Sequence, residues 1–598
     1  RAGELTKSLR RCLVMELFGK KRSFPLTASI LIGGFVYLYL NLFYLPAIPI
    51  HFLPGDATTF LFNARQMQRG QVIYRDFFEL TLPATEVVYL VLFKIFGDRA
   101  WIPNVMLIVL GLCLVYLMIV ISRKVISGKA AYLPAVLFLV VPFRSQLDPT
   151  HHWFSTLFVM AALALLVENI TALRLVGAGA LCGAAMCFTQ TSGLPAVLGL
   201  ALFLLWAATT HRISWVNFRR AQLYIWSSFA IVVVLFNAYF VIQAGLRTFL
   251  YDTIVFNLRY YSSEIVNSFG AYMIDAPAFR PWYRAPALAI WFSVYLLVPL
   301  IYILFFVRYW DEKEDRPSEP WDRLVLIAIT GTMLFLGVAA SPSWLRLCTV
   351  AAPGVVLFVW FVNSPGRFRS LRTTAVWVIV ICVALGEWRE RELGWRKQIK
   401  LPIGRVMVFD PVQYEEIKFL LDRTKPGDYF FGNNEFNYLL DLRDPSPIPY
   451  VTSSDYTRPE QVRETIQGLE SHPVKYIFWS SDLDMPPEVA HSTNHLAPLR
   501  AYLLSHYQLV KSIEGDDFCR TFWEKRKVPV PVPSAGPIGA LPQARLPEWS
   551  PAPLLPLTPW PGFVRLAASS APASSADIDR RGPARGTRSG DLRAAGDS

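Results

Sequence analysis

The sequence predicts a polytopic α-helical membrane domain followed by a soluble α/β domain. Three observations carry that prediction. The 598 residues are 53% hydrophobic and 14% aromatic but only 17% charged, with a positive mean hydropathy. Apolar runs long enough to cross about 30 Å of hydrocarbon recur between residues 26 and 387. After residue 400 such runs give way to short strand-like and helix-like segments.

In order, about eleven spans are expected, near 26–48, 102–122, 130–143, 152–168, 172–190, 193–209, 222–243, 286–307, 324–340, 348–363 and 373–387. The first is long, lacks a small-residue cleavage site and reads as a signal anchor. Lys20, Lys21 and Arg22 precede it. Arg123 and Lys124, Arg219 and Arg220, Arg316 and Arg323, and Arg367 and Arg369 stand between later spans. With eleven spans all of these fall on one side, which sets the N-terminus inside and the C-terminal domain outside. The expected location is the cell inner (plasma) membrane. A net charge of +13 distributed over short loops is not the footprint of a nucleic-acid binder, so no nucleic acid is expected. Of seven cysteines, only Cys519 lies in the soluble part, and no CxxC pattern occurs.

Two outer loops are long, 49–101 and 244–285. Segments 57–69 and 84–96 of the first have helical apolar spacing and suit helices lying on the interface. The second is rich in aromatic residues, which fits either an aromatic belt or a substrate grip. In 400–527, strands are expected at 406–409, 428–431 and 476–479, and helices at 411–424 and 459–471. No glycine-rich phosphate loop occurs. Residues 528–598, rich in Pro, Ala, Ser and Arg, read as a disordered tail, and residues 1–24 as a basic cytoplasmic N-terminus.

The residues with chemical capacity cluster on the outer side. Asp56 follows the first span, in Pro54-Gly55-Asp56. It reads as a helix cap and also as a general base, two roles that can coexist. Tyr74, Arg75 and Asp76 follow Gly70; Asp76 suits substrate contact or an ion pair with a neighbouring arginine. Asp148 stands before Pro149, a turn position that can also hold a catalytic carboxylate. His151 and His152 are adjacent. Side chains at adjacent positions are expected to diverge, so hydrogen bonding to a phosphate or sugar is favoured over a shared metal. Gln190 opens a polar outer turn. Arg65, Arg69, Arg75, Arg144, Arg259, Arg280, Arg284 and Arg346 all fall outside, where guanidinium groups suit lipid headgroups or an anionic ligand gripped at two points. Arg346, in the tight turn Ser341 to Arg346, is the most suggestive.

Asp56, Ala64 through Gly70, Tyr74, Asp76, Pro83 and Phe96-Gly97, together with Pro426 to Gly432 and Leu440 to Arg443, resemble the GT-C superfamily, as found in protein O-mannosyltransferases and lipid A aminoarabinose transferases. The resemblance implies a GT-C-like domain at 25–390, with a catalytic loop at 49–101 and an extracytoplasmic α/β domain at 400–527. It implies Asp56 and Asp148 as catalytic carboxylates. Tyr74, Arg75, Asp76, His151, His152, Gln190, Arg259, Arg284 and Arg346 would then contact substrate. The implied partners are a polyprenyl-phosphate sugar donor, membrane lipids and a glycan, lipid or protein acceptor. No metal ligand or cofactor is assigned, and a divalent metal stays open. The sequence departs from the protein O-mannosyltransferases in having Ala57 after Asp56, and from the aminoarabinose transferases in having Thr81-Leu82-Pro83 where they carry Lys-Pro-Pro.

The expected activity is inverting sugar transfer on the outer face. The alternatives are a transporter or flippase of lipid-linked glycans, or a polymerase. Transport would call for charges within the spans, and the expected spans are nearly free of them.

Overall fold

The computed structural model describes residues 24–51, 56–264, 267–268, 285–341, 343–484, 495–514 and 519–529. Arg280, Arg284, almost all of the expected N-terminal segment and almost all of the expected tail lie outside the described residues. Each of the eleven expected spans is helical. The helices are α1 (Phe24–Leu42), the loop helices α2 (Asp56–Gln68) and α3 (Ala84–Phe96), then α4 (Trp101–Ser122), α5 (Leu133–Phe138), α6 (His151–Glu168) and α7 (Ala172–Phe188). They continue with α8 (Gln190–Thr209), α9 (Trp215–Ala244), α10 (Ala285–Glu312), α11 (Trp321–Val338), the pair α12 (Trp344–Val350) and α13 (Ala352–Val362), and α14 (Arg369–Leu393). Among the described residues, seven of these are long and apolar enough to cross a membrane on their own, and α12 and α13 are an apolar pair bent by 64°, the geometry of a broken span or a re-entrant loop.

Departures from regular helix follow from proline. α1 stops at Leu42, before Pro46, and the chain turns through a hairpin of β1 (Phe43–Tyr44) and β2 (Ile48–Pro49), pairing Phe43 with Pro49 and Tyr44 with Ile48. The first span is therefore shorter than the expected 26–48. α5 widens into a π-turn at Leu139–Phe143, where Pro142 has no N–H to offer the helical ladder. Pro353 stands beside the bend between α12 and α13.

Small residues set how closely the membrane helices approach. Gly179 and Gly183, four apart on α7, face α9. A Cβ on Gly179 would come within 2.3 Å of the Ile225 carbonyl oxygen, and one on Gly183 within 2.7 Å of that of Phe229. The pair forms a GxxxG contact of the kind that holds helices together in lipid.

The soluble part begins with a hairpin, β3 (Lys397–Leu401) and β4 (Gly404–Val408), docked on the first outer loop. His51 N–H donates to the Met407 carbonyl (2.9 Å) and Ala100 N–H to that of Ile403 (3.0 Å). A four-stranded sheet follows, ordered β5 (Phe430–Phe431), β6 (Tyr476–Ser480), β8 (Cys519–Lys525), β7 (Tyr507–Glu514), parallel only between β5 and β6. Helices α15 (Pro411–Leu421), α16 (Asn434–Leu439), α17 (Pro459–Ser471) and α18 (Ala497–His506) cover it. The expected strands and helices of this part all have counterparts, whereas β3, β7, β8, α16 and α18 are additions. One apolar cluster runs unbroken from Leu38 and Leu114 in the membrane helices to Phe436 and Phe522 in the sheet domain. The two parts are packed together rather than tethered.

Replacing Gly183 by leucine forces α7 and α9 apart. The expected cost is about 1–3 kcal/mol, read as an earlier unfolding midpoint of the detergent-solubilised protein; Val176→Leu, at an exposed position of the same helix, serves as the control.

Candidate functional site

Helix α2 sets the site. At about 100° per residue, Asp56, Phe60 and Asn63 fall on one face, and Arg65 and Arg69 on the opposite one. Asp56 opens the helix and is exposed. Phe60 meets the His151 ring edge-on, centroids 4.9 Å apart. Asn63 donates to the buried Glu79 carboxylate at 2.9 Å. The face that carries Asp56 thus turns toward the top of α6.

His151 and His152 begin α6. Their rings lie 4.0 Å apart at an angle of 37°. One ligand atom from each of Asp56, His151 and His152 lies within 4.8 Å of the other two. This corrects the expectation that the two rings diverge: neighbours in a helical first turn are separated by about 100°, not by the 180° of a strand. His151 Nδ1 is buried without a hydrogen-bond partner among the described residues. Two imidazole nitrogens, one of them with no partner here, and a carboxylate form a donor set suited to a divalent transition metal. The residues therefore fit a metal.

Asp148 approaches the same helix from the short loop that precedes α6. Ala57 N–H donates to its carboxylate. Burial, reinforced by the charge of Asp56, nevertheless raises its carboxyl well above the usual aspartate range. Its surroundings are a small, mainly apolar cleft between α2, the start of α4 and the β3–β4 hairpin, lined by Leu61, Leu107, Pro149, Ile403 and Val406. Glu79 was not anticipated. Its Oε1 accepts from Leu80 N–H (2.9 Å), Thr81 N–H (3.0 Å) and the Thr81 hydroxyl (3.0 Å), and burial, opposed by those donors, raises its carboxyl. A glutamate embedded in Phe77-Phe78-Glu79-Leu80 was a signal available in the sequence.

Arg346, in the first turn of α12, donates to the Ser341 carbonyl (2.8 Å), the Tyr261 hydroxyl (2.6 Å) and Asn267 Oδ1 (2.7 Å). Its charge is felt at both histidines and at Tyr261, which also senses Asp56. The arginine, the tyrosine, the histidine pair and Asp56 therefore surround one region at the start of α6.

The other sequence-predicted residues stand apart from it. Tyr74 is buried against Phe240 and Phe249 and donates to the Thr81 carbonyl. Arg75 pairs with Asp76 at 2.8 Å, and Asp76 also accepts Val72 N–H; the hydrogen bond from Arg75 holds its carboxyl below the usual range. Gln190 donates to the Leu80 and Thr253 carbonyls and so ties the first loop to the second. Arg259 is exposed beside Tyr260. Arg144 pairs with Glu387 (3.6 Å) and donates to Asn41 (2.7 Å).

No protein-family model matches the sequence, and no curated protein matches it. Among solved structures, the chain is similar to ArnT from Cupriavidus metallidurans bound to undecaprenyl phosphate, at 13% identity and a TM-score of 0.50, covering 84% of this chain and 98% of that one. The apo oligosaccharyltransferase of Archaeoglobus fulgidus is matched at 12% identity and a TM-score of 0.47, over 85% of this chain and 76% of that one. The chain has a GT-C-like fold.

Proposed function

We propose that this protein is a membrane glycosyltransferase that moves a sugar from a polyprenyl-phosphate carrier to an acceptor at the outer face of the inner membrane. The observation that carries the reading is the convergence of Asp56 from the first outer loop with His151 and His152 at the top of a membrane helix. The fold shared with ArnT, a protein bound to undecaprenyl phosphate, supports it.

In this reading the prenyl tail stays in the bilayer and delivers the sugar to the surface, which lowers the entropic cost of meeting α2. Asp56 accepts the proton of the acceptor hydroxyl and orients it toward the anomeric carbon. Attack comes from the face opposite the phosphate, which inverts the configuration. The C–O bond to the lipid phosphate breaks, and Arg346 stabilises the charge that the phosphate gains. Tyr261 and Asn267 hold that guanidinium ready. A divalent cation held by Asp56, His151 and His152 would add positive charge beside the reacting groups. Burial and the nearby charge of Asp56 oppose the deprotonation of Asp148 and raise its carboxyl well above the usual aspartate range. Its work is to receive Ala57 N–H and so fix the start of α2.

The test is transfer from a panel of polyprenyl-phosphate sugars in proteoliposomes. Asp56→Asn is expected to lower kcat by about 10²–10⁴-fold, the range of a lost general base. Movement of labelled lipid-linked glycan across the bilayer without transfer would support a transporter instead. Asp148→Asn, which mimics the protonated carboxyl, is expected to keep most activity and to resist the loss that wild-type protein suffers as rising pH ionises the up-shifted Asp148; a pH–rate profile reads this. EDTA is expected to abolish transfer, and Mn²⁺ or Zn²⁺ to restore it, in wild type but not in His151→Gln.

A further inference from the structure

The face of α2 opposite Asp56 is held by the soluble domain. Arg65 is 2% exposed. Its Nη1 donates to the carbonyls of Asn437 (3.2 Å) and Tyr438 (2.6 Å), its Nε pairs with Asp98, and its guanidinium lies 4.6 Å from the centroid of the Tyr438 ring. One turn further on, Arg69 pairs with Asp441 (2.7 Å) and donates to the Leu442 carbonyl (3.2 Å). On the approach to α2, His51 meets Glu435 at 2.7 Å, and Gln413 donates to the same carboxylate. Arginines that the sequence offered as anion grips are thus spent on one short segment, residues 434–442.

Asp56 and Arg65 are nine residues apart, about 13 Å along the axis and about 180° around it. A shift at the Arg65 face therefore moves the Asp56 face as a rigid unit. We infer that Arg65 and Arg69 are positioning residues, and that segment 434–442 of the soluble domain sets where Asp56 stands relative to His151 and His152. This rests on the functional reading above for its effect on transfer, but its effect on cation binding is independent of the reaction. Misplacement by about 1 Å is enough to matter at a reacting centre.

The experiment uses the full chain in detergent and in proteoliposomes, with Mn²⁺ as the probe. Arg69→Asp breaks the half-exposed pair, Asp441→Arg restores opposite charges in the double variant, and Arg65→Lys keeps the charge but loses the two-carbonyl grip. Arg69→Asp and Arg65→Lys are each expected to weaken Mn²⁺ affinity and to lower kcat by about tenfold, with KM for the donor little changed. Arg69→Asp with Asp441→Arg is expected to recover most of both. A lowered melting midpoint with unchanged Mn²⁺ affinity and kcat would mean that the contact is structural only, and would overturn the inference. Wild-type protein that binds Mn²⁺ but transfers no sugar overturns the transfer reading alone. Wild-type protein that transfers sugar but binds no Mn²⁺ overturns the cation site alone, and kcat of the three variants then decides the inference.

Discussion

The buried guanidinium of Arg65 is the interaction on which the placement of α2 between the two domains depends. A charge taken out of water costs several kcal/mol unless it is paired and hydrogen-bonded. Here the compensation comes from three directions: Asp98 just past α3, two carbonyls of α16, and the face of Tyr438. None of these partners belongs to α2 itself. The helix is stable in its observed place only when the first loop and the soluble domain are both present around it. The other side of the same helix meets the membrane helices through Phe60 and Asn63. A short helix of mixed composition thereby becomes the wedge between two domains.

The membrane domain gives the wedge a fixed surface to meet. Close contacts at Gly179 and Gly183 lock α7 to α9. A polar knot ties α1 and α14 to the turn between α5 and α6: Tyr37 donates to Glu387 at 2.9 Å, and Arg144 reaches both Glu387 and Asn41. Glu387 is buried at the end of its span, yet it is matched by an arginine and a tyrosine, so it reads as a fastening rather than a step on a transport path. The knot holds the loop that leads to Asp148 and to the histidine pair.

Much of this was legible in the sequence because lipid leaves the chain few options. Backbone groups in hydrocarbon must be satisfied within the helix, so apolar runs became helices at the expected places. The two loop helices were visible in their 3.6-residue spacing, as were α15 and α17. Strands β7 and β8 were not, since Tyr507–Glu514 and Cys519–Lys525 mix charged and apolar residues without clean alternation. Asp56, Asp148, His151, His152 and Arg346 were named from residue type and loop position. What the sequence could not supply was their company. Whether two adjacent histidines converge depends on whether they lie in a helix or a strand, and α6 begins at the first of them. Whether an outer arginine meets a ligand or a carboxylate depends on residues hundreds of positions away. Arg75 found its partner next door, Arg69 found Asp441, and Arg144 found Glu387.

That separation has a consequence for how the protein comes into being. The contacts between α2 and the soluble domain join residues 372 and 373 positions apart. A chain is made from its N-terminus, and its earlier parts settle first. The first loop is therefore made while residues 434–442 have yet to be synthesised, and through that interval Asp98 alone, among the partners of Arg65 and Arg69 named above, is there to answer the cationic side of α2. The helix that carries Asp56 is fixed last although it is made early. A newly inserted molecule thus meets the lipids around it with the loop after α1 unset, and that loop acquires its defined arrangement only once residues 434–442 have emerged.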